Sequence, residues 1–338
     1  MGWMGNHMPK ILEIKPEGIY CPAGGFYIDP RGKVNQAVIT HAHSDHARSG
    51  HGSYLCSDSC LSLLKIRLGE NQRMESIPFG KVIKIGAAKV SLHPAGHILG
   101  SAQVRVEVGG EVWVVSGDYK PQADQTCEAF ELVSCHGFIS ECTFGLPVYR
   151  WMEEQKVHNQ VNEWWQKNAK EGRPSLLFAY SLGKAQRILS GLESGIGPVF
   201  AHGAVHPFLE HYEKAGVHFP EVQKLERGQE IDLSRSIIVA PPAVEDSTWT
   251  RKIKNSRRGF ASGWMSIRGA KRRRNLDQGF VLSDHADWDG LIQVIQGTGA
   301  EEIFLTHGNG DALARYLQEK GKNASILTGA KMRGEEEE

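Results

Sequence analysis

The chain has 338 residues, 40% of them apolar and 23% charged, the profile of a folded globular protein with a substantial core. Lys plus Arg and Asp plus Glu both number 39, so the formal net charge is +0. That balance excludes a uniformly basic nucleic-acid-coating protein, though not a local basic patch.

The opening MGWMGNHMPK lacks an apolar signal core, and no apolar run is long enough to span a bilayer. A cytoplasmic protein is expected. The six cysteines form no C-x-x-C pair, so they read as reduced thiols. The first 145 residues read as β-rich. Ala37-Val38-Ile39-Thr40 is a short apolar run that stops at His41. Residues 89–92 lead to Pro94-Ala95-Gly96-His97. Residues 104–108, Gly109-Gly110 and residues 111–115 read as a hairpin whose second strand stops at Gly117-Asp118. Residues 137–140 stop at Glu141. In each case an apolar strand delivers a polar or ionisable residue at its carboxyl end, where loops converge on a rigid support.

The middle of the chain has another rhythm. Residues 152–170 carry Val157, Val161, Trp164 and Trp165 at helical spacing. Residues 175–179 read as a buried strand and 182–192 as a helix, with further strands at 198–201 and 237–240. Strands alternating with helices predict an inserted α/β unit with a parallel sheet. After Phe280-Val281-Leu282 the first pattern returns: a strand at 302–306 stops at His307, and a helix follows at 311–322. The final EEEE reads as a solvated tail.

His41-Ala42-His43-Ser44-Asp45-His46 is the strongest chemical signal. Three imidazoles and a carboxylate on one turn cost several kcal/mol to desolvate without a partner, and a divalent metal is such a partner. The donor set suits zinc, with manganese or iron also compatible. His41 and His43 alternate along extended backbone and can point the same way, while Asp45 and His46 turn toward a second centre. His97 and Asp118 would each pass as ordinary turn residues if met alone. Beside the first cluster they read as ligands, Asp118 as the bridging carboxylate, and His307 closes the set.

These motifs carry a resemblance. H-x-H-x-D-H, A-G-H-x-x-G-S-A at Ala95 to Ala102 and S-G-D-Y at Ser116 to Tyr119 resemble the metallo-β-lactamase superfamily. Ser140-Glu141-Cys142-Thr143-Phe144-Gly145, Ser283-Asp284-His285-Ala286-Asp287 and Thr306-His307-Gly308 resemble the motifs of its β-CASP nuclease branch. Gly117 to Lys120, Thr143 to Pro147 and Ser262 to Met265 are most similar to the bacterial DNA ligase-associated exonucleases. The resemblance implies an α/β fold, a metallo-β-lactamase αββα sandwich with an inserted smaller α/β β-CASP cap. Its parts would be 1–145, the insert 146–280 and a return segment 281–338. It implies that His41, His43 and His97 hold one metal, that Asp45, His46 and His307 hold the other, and that Asp118 bridges them. Asp45, Glu141 and His285 would be catalytic, with Glu141 and His285 paired near the metals but not ligating them. Two such ions, most readily zinc, activate one hydroxide and clamp the moving oxygens of a phosphodiester. His285 would then protonate the leaving oxygen.

Residues 250–274 contain ten Lys or Arg and no acid. This stretch reads as a phosphate-tracking surface with Arg272, Arg273 and Arg274, and with Trp264 or Phe260 for base stacking. Lys184 and Arg187, at the start of a helix after a strand, are further candidate phosphate contacts. The expected function is a metal-dependent DNA exonuclease of repair that works with an ATP-dependent DNA ligase and a helicase. The same-fold rival is a ribonuclease that processes RNA ends, kept alive by His307. A non-catalytic nucleic-acid-binding scaffold and a small-molecule metallo-hydrolase are the readings from other classes. The full ligand set argues against the scaffold. Glu141, His285 and the basic stretch argue against the small-molecule enzyme.

Overall fold

The computed structural model describes residues 11–226, 231–267, 269–308 and 310–327. The opening ten residues and the acidic tail lie outside them. The chain divides into two compact units: residues 11–123, 128–145 and 290–327 make the first, and residues 124–127 and 146–289 the second. The later boundary falls within the helix Trp288–Gly297, further along the chain than the expected return at 281. Among the described residues no helix is long and apolar enough to cross a membrane, and all six cysteines are free.

Among its described residues the first unit holds two mixed sheets. One has six strands in chain order: Glu13–Lys15, Gly18–Cys21, Phe26–Ile28, Gln36–Val38, Ser53–Ser57 and Met74–Ile77. The other has seven, in the order Asn323–Ile326, Glu302–Thr306, Gly137–Glu141, Glu111–Val115, Ala102–Val108, Ala88–Pro94 and Ile83–Ile85. The period-two pattern of the strands explains how they join. Phe26, Ile28 and Val38 of the first sheet share one buried core with Val90, Leu92, Val104, Val106 and Ile139 of the second. The helix Asp58–Leu68 packs on Ser53–Ser57 and Met74–Ile77, and Asp311–Glu319 packs on Asn323–Ile326. The layers therefore run helix, sheet, sheet, helix. Ser57 starts the first helix by accepting from the Cys60 N–H at 3.2 Å, an N-cap bond.

The second unit is built on one sheet ordered Val222–Lys224, Val199–Ala201, Ile237–Ala240, Ser175–Phe178, Arg257–Ala261 and Gln278–Phe280. Every pairing in it is parallel. Parallel strands are covered on both faces and read as continuous apolar runs. Leu177, Val239 and Ala261 face one core, and Leu176, Phe178, Ile238 and Phe260 face the other. Val157, Val161 and Trp165 of the helix Glu154–Lys170 fill the first of these cores.

Candidate metal centre

In the first unit the parallel strands Glu111–Val115, Gly137–Glu141 and Glu302–Thr306 run side by side, with Val115 opposite Ile139 and Glu141 opposite Thr306. Their shared direction brings Asp118, Glu141 and His307 to one edge. The segment after Gln36–Val38 contributes His41 and then a tight turn, closed by Ala47 N–H donating to the His43 carbonyl at 2.7 Å. This turn places His43, Asp45 and His46. Gly117, at φ 55°, lies so close to Thr40 that a Cβ there would stand 2.7 Å from the Thr40 Cβ. Only glycine suits that conformation and that approach.

The seven expected ligands come together in two groups. One donor atom each from His41, His43, His97 and Asp118 lie within 4.8 Å of one another, as do donors from Asp45, His46 and His307. His43 Nδ1 is 3.1 Å from His97 Nε2. Asp118 Oδ2 is 3.6 Å from His41 Nε2, 3.9 Å from His97 Nε2 and 3.3 Å from His46 Nε2, so one carboxylate oxygen faces both groups. Two ligands of a tetrahedral zinc, each about 2.0–2.1 Å from the ion, stand about 3.3–3.4 Å apart. The observed spacings bracket that value. His41 Nε2 and His46 Nε2 are buried and have no hydrogen-bond partner among the described residues. Buried nitrogens left in this way need a partner, and a divalent cation fits the donor set.

One residue of this centre escaped the sequence reading. Asp29 follows the strand Phe26–Ile28, and its Oδ2 lies 2.8 Å from His46 Nδ1. The same oxygen accepts from Thr40 Oγ1 at 2.6 Å, and Oδ1 accepts from the Thr40 N–H at 2.8 Å. Thr40 Oγ1 is in turn 3.0 Å from His41 Nδ1. Because the hydroxyl proton goes to Asp29, Thr40 accepts from His41 Nδ1–H. Both imidazoles thereby carry their proton on Nδ1 and turn Nε2 inward, the carboxylate–histidine support of metal sites. The pattern of an apolar strand ending in an ionisable residue was present at Ile28-Asp29 and could have found it.

Burial pushes the His41 pKa well below its ordinary value, with His46 and His97 adding to the effect. Burial also lowers that of His307. At His46 burial works the same way, yet Asp118, Asp45 and Asp29 together outweigh it and lift the pKa well above the usual value. The carboxylates around His46 thus call for positive charge, which a divalent ion satisfies as a proton does. Asp45 is held below the usual carboxylate range: burial opposes this, but His46 and its neighbouring histidines prevail.

Glu141 is fully buried at the end of its strand and accepts from Tyr119 N–H at 3.0 Å and Thr143 N–H at 3.2 Å. His285 belongs to the second unit and is also fully buried. Lys184 and Arg187 correct the expectation of phosphate contact. Each is 1% exposed. Lys184 Nζ lies 3.0 Å from Asp284 Oδ1, and Arg187 pairs with Asp124. Buried cations persist only beside such counter-charges, and these two are already committed. Phe260 is also withdrawn from stacking, since it is buried in the core and its face is covered by Arg274 at 4.4 Å. Trp264 is half-buried and edge-on to Tyr149 at 5.5 Å. Arg272 and Arg274 are exposed, and Arg274 also reaches Glu245 at 3.4 Å. The side chain of Arg273 lies outside the described residues.

Comparison with known proteins agrees with this geometry. Residues 278–327 match a family described as the Zn-dependent metallo-hydrolase RNA specificity domain. Over 312 residues, 91% of this chain, the protein is 32% identical to an Opitutus terrae protein named "Probable DNA ligase", of which the match covers 30%. It is 21% identical over 323 residues to the endoribonuclease YSH1 of Kluyveromyces lactis, covering 75% of this chain and 41% of that protein. The chain thus spans well under half the length of these relatives. A crystal structure of an Enterococcus faecalis protein of unknown function shares the fold, with a TM-score of 0.56 at 12% identity, covering 88% of this chain and 80% of that one. These matches, with the ligand geometry, support the metallo-β-lactamase superfamily and its β-CASP branch.

Proposed function

We propose that this protein is a metal-dependent nuclease that holds two divalent ions, most readily zinc and alternatively manganese. Asp118 carries the reading, because its Oδ2 stands within 3.3–3.9 Å of His46, His41 and His97 and so faces both ligand groups. Ions bound there lower the pKa of water toward neutrality and offset phosphate charge. His41, His43 and His97 hold one ion, and Asp45, His46 and His307 the other. Asp29 and Thr40 fix which nitrogen each supported imidazole presents. As the oxygen of a hydroxide, formed when water gives one proton to solvent, bonds to phosphorus and the old P–O bond breaks, His285 gives its proton to the leaving oxygen, and Glu141 supports that transfer. Trp264, Arg272, Arg273 and Arg274 contact the nucleic acid.

The substrate in this reading is DNA, attacked from an end during repair alongside a DNA ligase and a helicase. The similarity to a protein named as a DNA ligase supports it. The second reading, RNA processing, is favoured by the RNA specificity domain matched across His307 and by the endoribonuclease relative. Labelled single- and double-stranded DNA and RNA of one sequence, incubated with zinc or manganese, test both. Stepwise shortening of DNA is expected. Much faster loss of RNA moves the assignment to RNA processing, and efficient cutting of a closed circular single strand removes the end requirement. Inertness toward all four, with both ions bound, overturns the nuclease reading.

A further inference from the structure

We propose that Lys184 and Arg187 are positioning residues that lock the backbone of residues 283–287 and so hold His285 in one orientation. The inference rests on the reading of His285 as proton donor. The segment follows Gln278–Phe280, the last strand of the parallel sheet and paired on one side only. A loop leaving a short edge strand has little local support of its own. Here it is held at nearly every residue. Lys184 Nζ lies 3.0 Å from Asp284 Oδ1, and Arg187 Nη1 donates to the Ser283 carbonyl at 2.7 Å. Ser283 Oγ accepts from the His285 N–H at 3.1 Å. Trp151 Nε1 donates to the His285 carbonyl at 2.8 Å, and Trp151 N–H to Asp287 Oδ2 at 3.0 Å. His285 is therefore tied through its own N–H and carbonyl and through Ser283, Asp284 and Asp287 around it.

The anchors are themselves fixed. The helix Lys184–Ser190 follows the interior strand Ser175–Phe178, and its first turn is closed by Gly183 N–H donating to Gln186 Oε1 at 2.7 Å. Lys184 also lies over the Tyr180 ring at 4.4 Å, and Arg187 pairs with Asp124 and, at 3.6 Å, with Glu154. Carboxylate contacts to two buried cations are a poor way to gain stability, because desolvation offsets most of the attraction and apolar side chains of similar volume often do as well. What an ion pair adds over an apolar contact is direction: the Lys184–Asp284 pair bears on the segment that carries His285, and the pairs to Asp124 and Glu154 fix the guanidinium that holds the Ser283 carbonyl.

The test uses the zinc-loaded full chain with Lys184→Met, Lys184→Arg, Arg187→Lys, Lys184→Met/Asp284→Asn and His285→Ala. Two substrates are compared: an oligodeoxynucleotide, whose alkoxide leaving group needs a proton, and bis(p-nitrophenyl) phosphate, whose nitrophenolate departs without one. Lys184→Met is expected to lower kcat on DNA by about 10²-fold, the scale of a small misplacement of a catalytic group. KM and zinc content should hold, and the loss on bis(p-nitrophenyl) phosphate should be far smaller. Lys184→Arg should restore much of the DNA rate. The double variant should recover the melting temperature but not the DNA rate. Arg187→Lys, which keeps the charge and loses the Ser283 contact, gives the same selective loss and serves if Lys184→Met does not fold. Equal losses on both substrates, or a double variant that regains DNA turnover with its stability, overturn the proposal. His285→Ala without selective loss on DNA refutes the proton-donor reading instead. Positioning is then judged by the His285 ring resonances, identified by their absence in His285→Ala: displacement in Lys184→Met upholds the lock, and unchanged resonances refute it.

Discussion

Replacing Asp29 with Asn tests the support of the metal centre without touching a ligand. The carboxylate receives three contacts of 2.6–2.8 Å, from Thr40 Oγ1, Thr40 N–H and His46 Nδ1. An amide keeps one oxygen, which can still accept from the Thr40 backbone. Its NH₂ then faces His46 Nδ1 and the Thr40 hydroxyl, where an acceptor is required. His46 loses its reason to keep the proton on Nδ1, and the Thr40 hydroxyl is freed from its fixed direction toward His41. Losing such an outer partner costs about 10- to 100-fold in metal affinity, or about 1.4–2.8 kcal/mol at 1.4 kcal/mol per decade. Thr40→Val isolates one branch: it removes the hydroxyl beside His41 and leaves the direct Asp29–His46 contact. It should weaken the site of His41, His43 and His97 more than that of Asp45, His46 and His307. Competition with a chromophoric chelator measures both affinities, and circular dichroism confirms that the variants are folded. Asp29→Asn protein that binds two zinc ions with wild-type affinity refutes the assigned support.

The other expected outcomes concern the ligands, the proton donor and the basic surface. Asp118→Ala should abolish nuclease activity and lower metal content, measured by elemental analysis beside the wild type, for which two per chain are expected. His285→Ala should slow DNA cleavage by about 10²–10⁴-fold with metal content intact, the range of general acid catalysis; loss of an ion would instead make His285 a ligand. Exchanging Arg272, Arg273 and Arg274 for Glu should weaken nucleic-acid binding and flatten its dependence on salt, as fewer counterions are released. Titrations at several salt concentrations read this directly, and an unchanged slope places the stretch away from the substrate.

The ligand set was legible because its chemistry is concentrated. His41 to His46 crowd one turn, and only beside that cluster, and with the motif resemblance, do His97, Asp118 and His307, each after an apolar run, read as further candidates. Asp29 lay within the same rule but offered a single carboxylate before proline, which reads as a turn. Lys184 and Arg187 show where local reading fails. Lysine at a helix start reads as a candidate phosphate contact, and nothing near it in the chain announces the contrary. The groups that bury these cations, Asp284, Asp124 and the Ser283 carbonyl, come from distant segments and meet them only through the tertiary fold. The division between the units follows from a related fact: Gln278–Phe280 pairs with Arg257–Ala261, and residues 281–289 group with that unit.

The pairing of Gly137–Glu141 with Glu302–Thr306 has a consequence for biosynthesis. Cys142 and His307 meet across a sequence separation of 165 residues. At roughly 5–20 residues per second, a ribosome needs on the order of ten seconds or more to make that interval. Throughout it, the strand destined for the interior of the seven-stranded sheet has an open edge, the kind of surface on which nascent chains associate wrongly. The ligand group of Asp45, His46 and His307 closes only when this late strand docks. Closure of this group is thereby tied to the synthesis of residues 302–307, and slow translation or defects in that strand should appear as aggregation before they appear as lost activity.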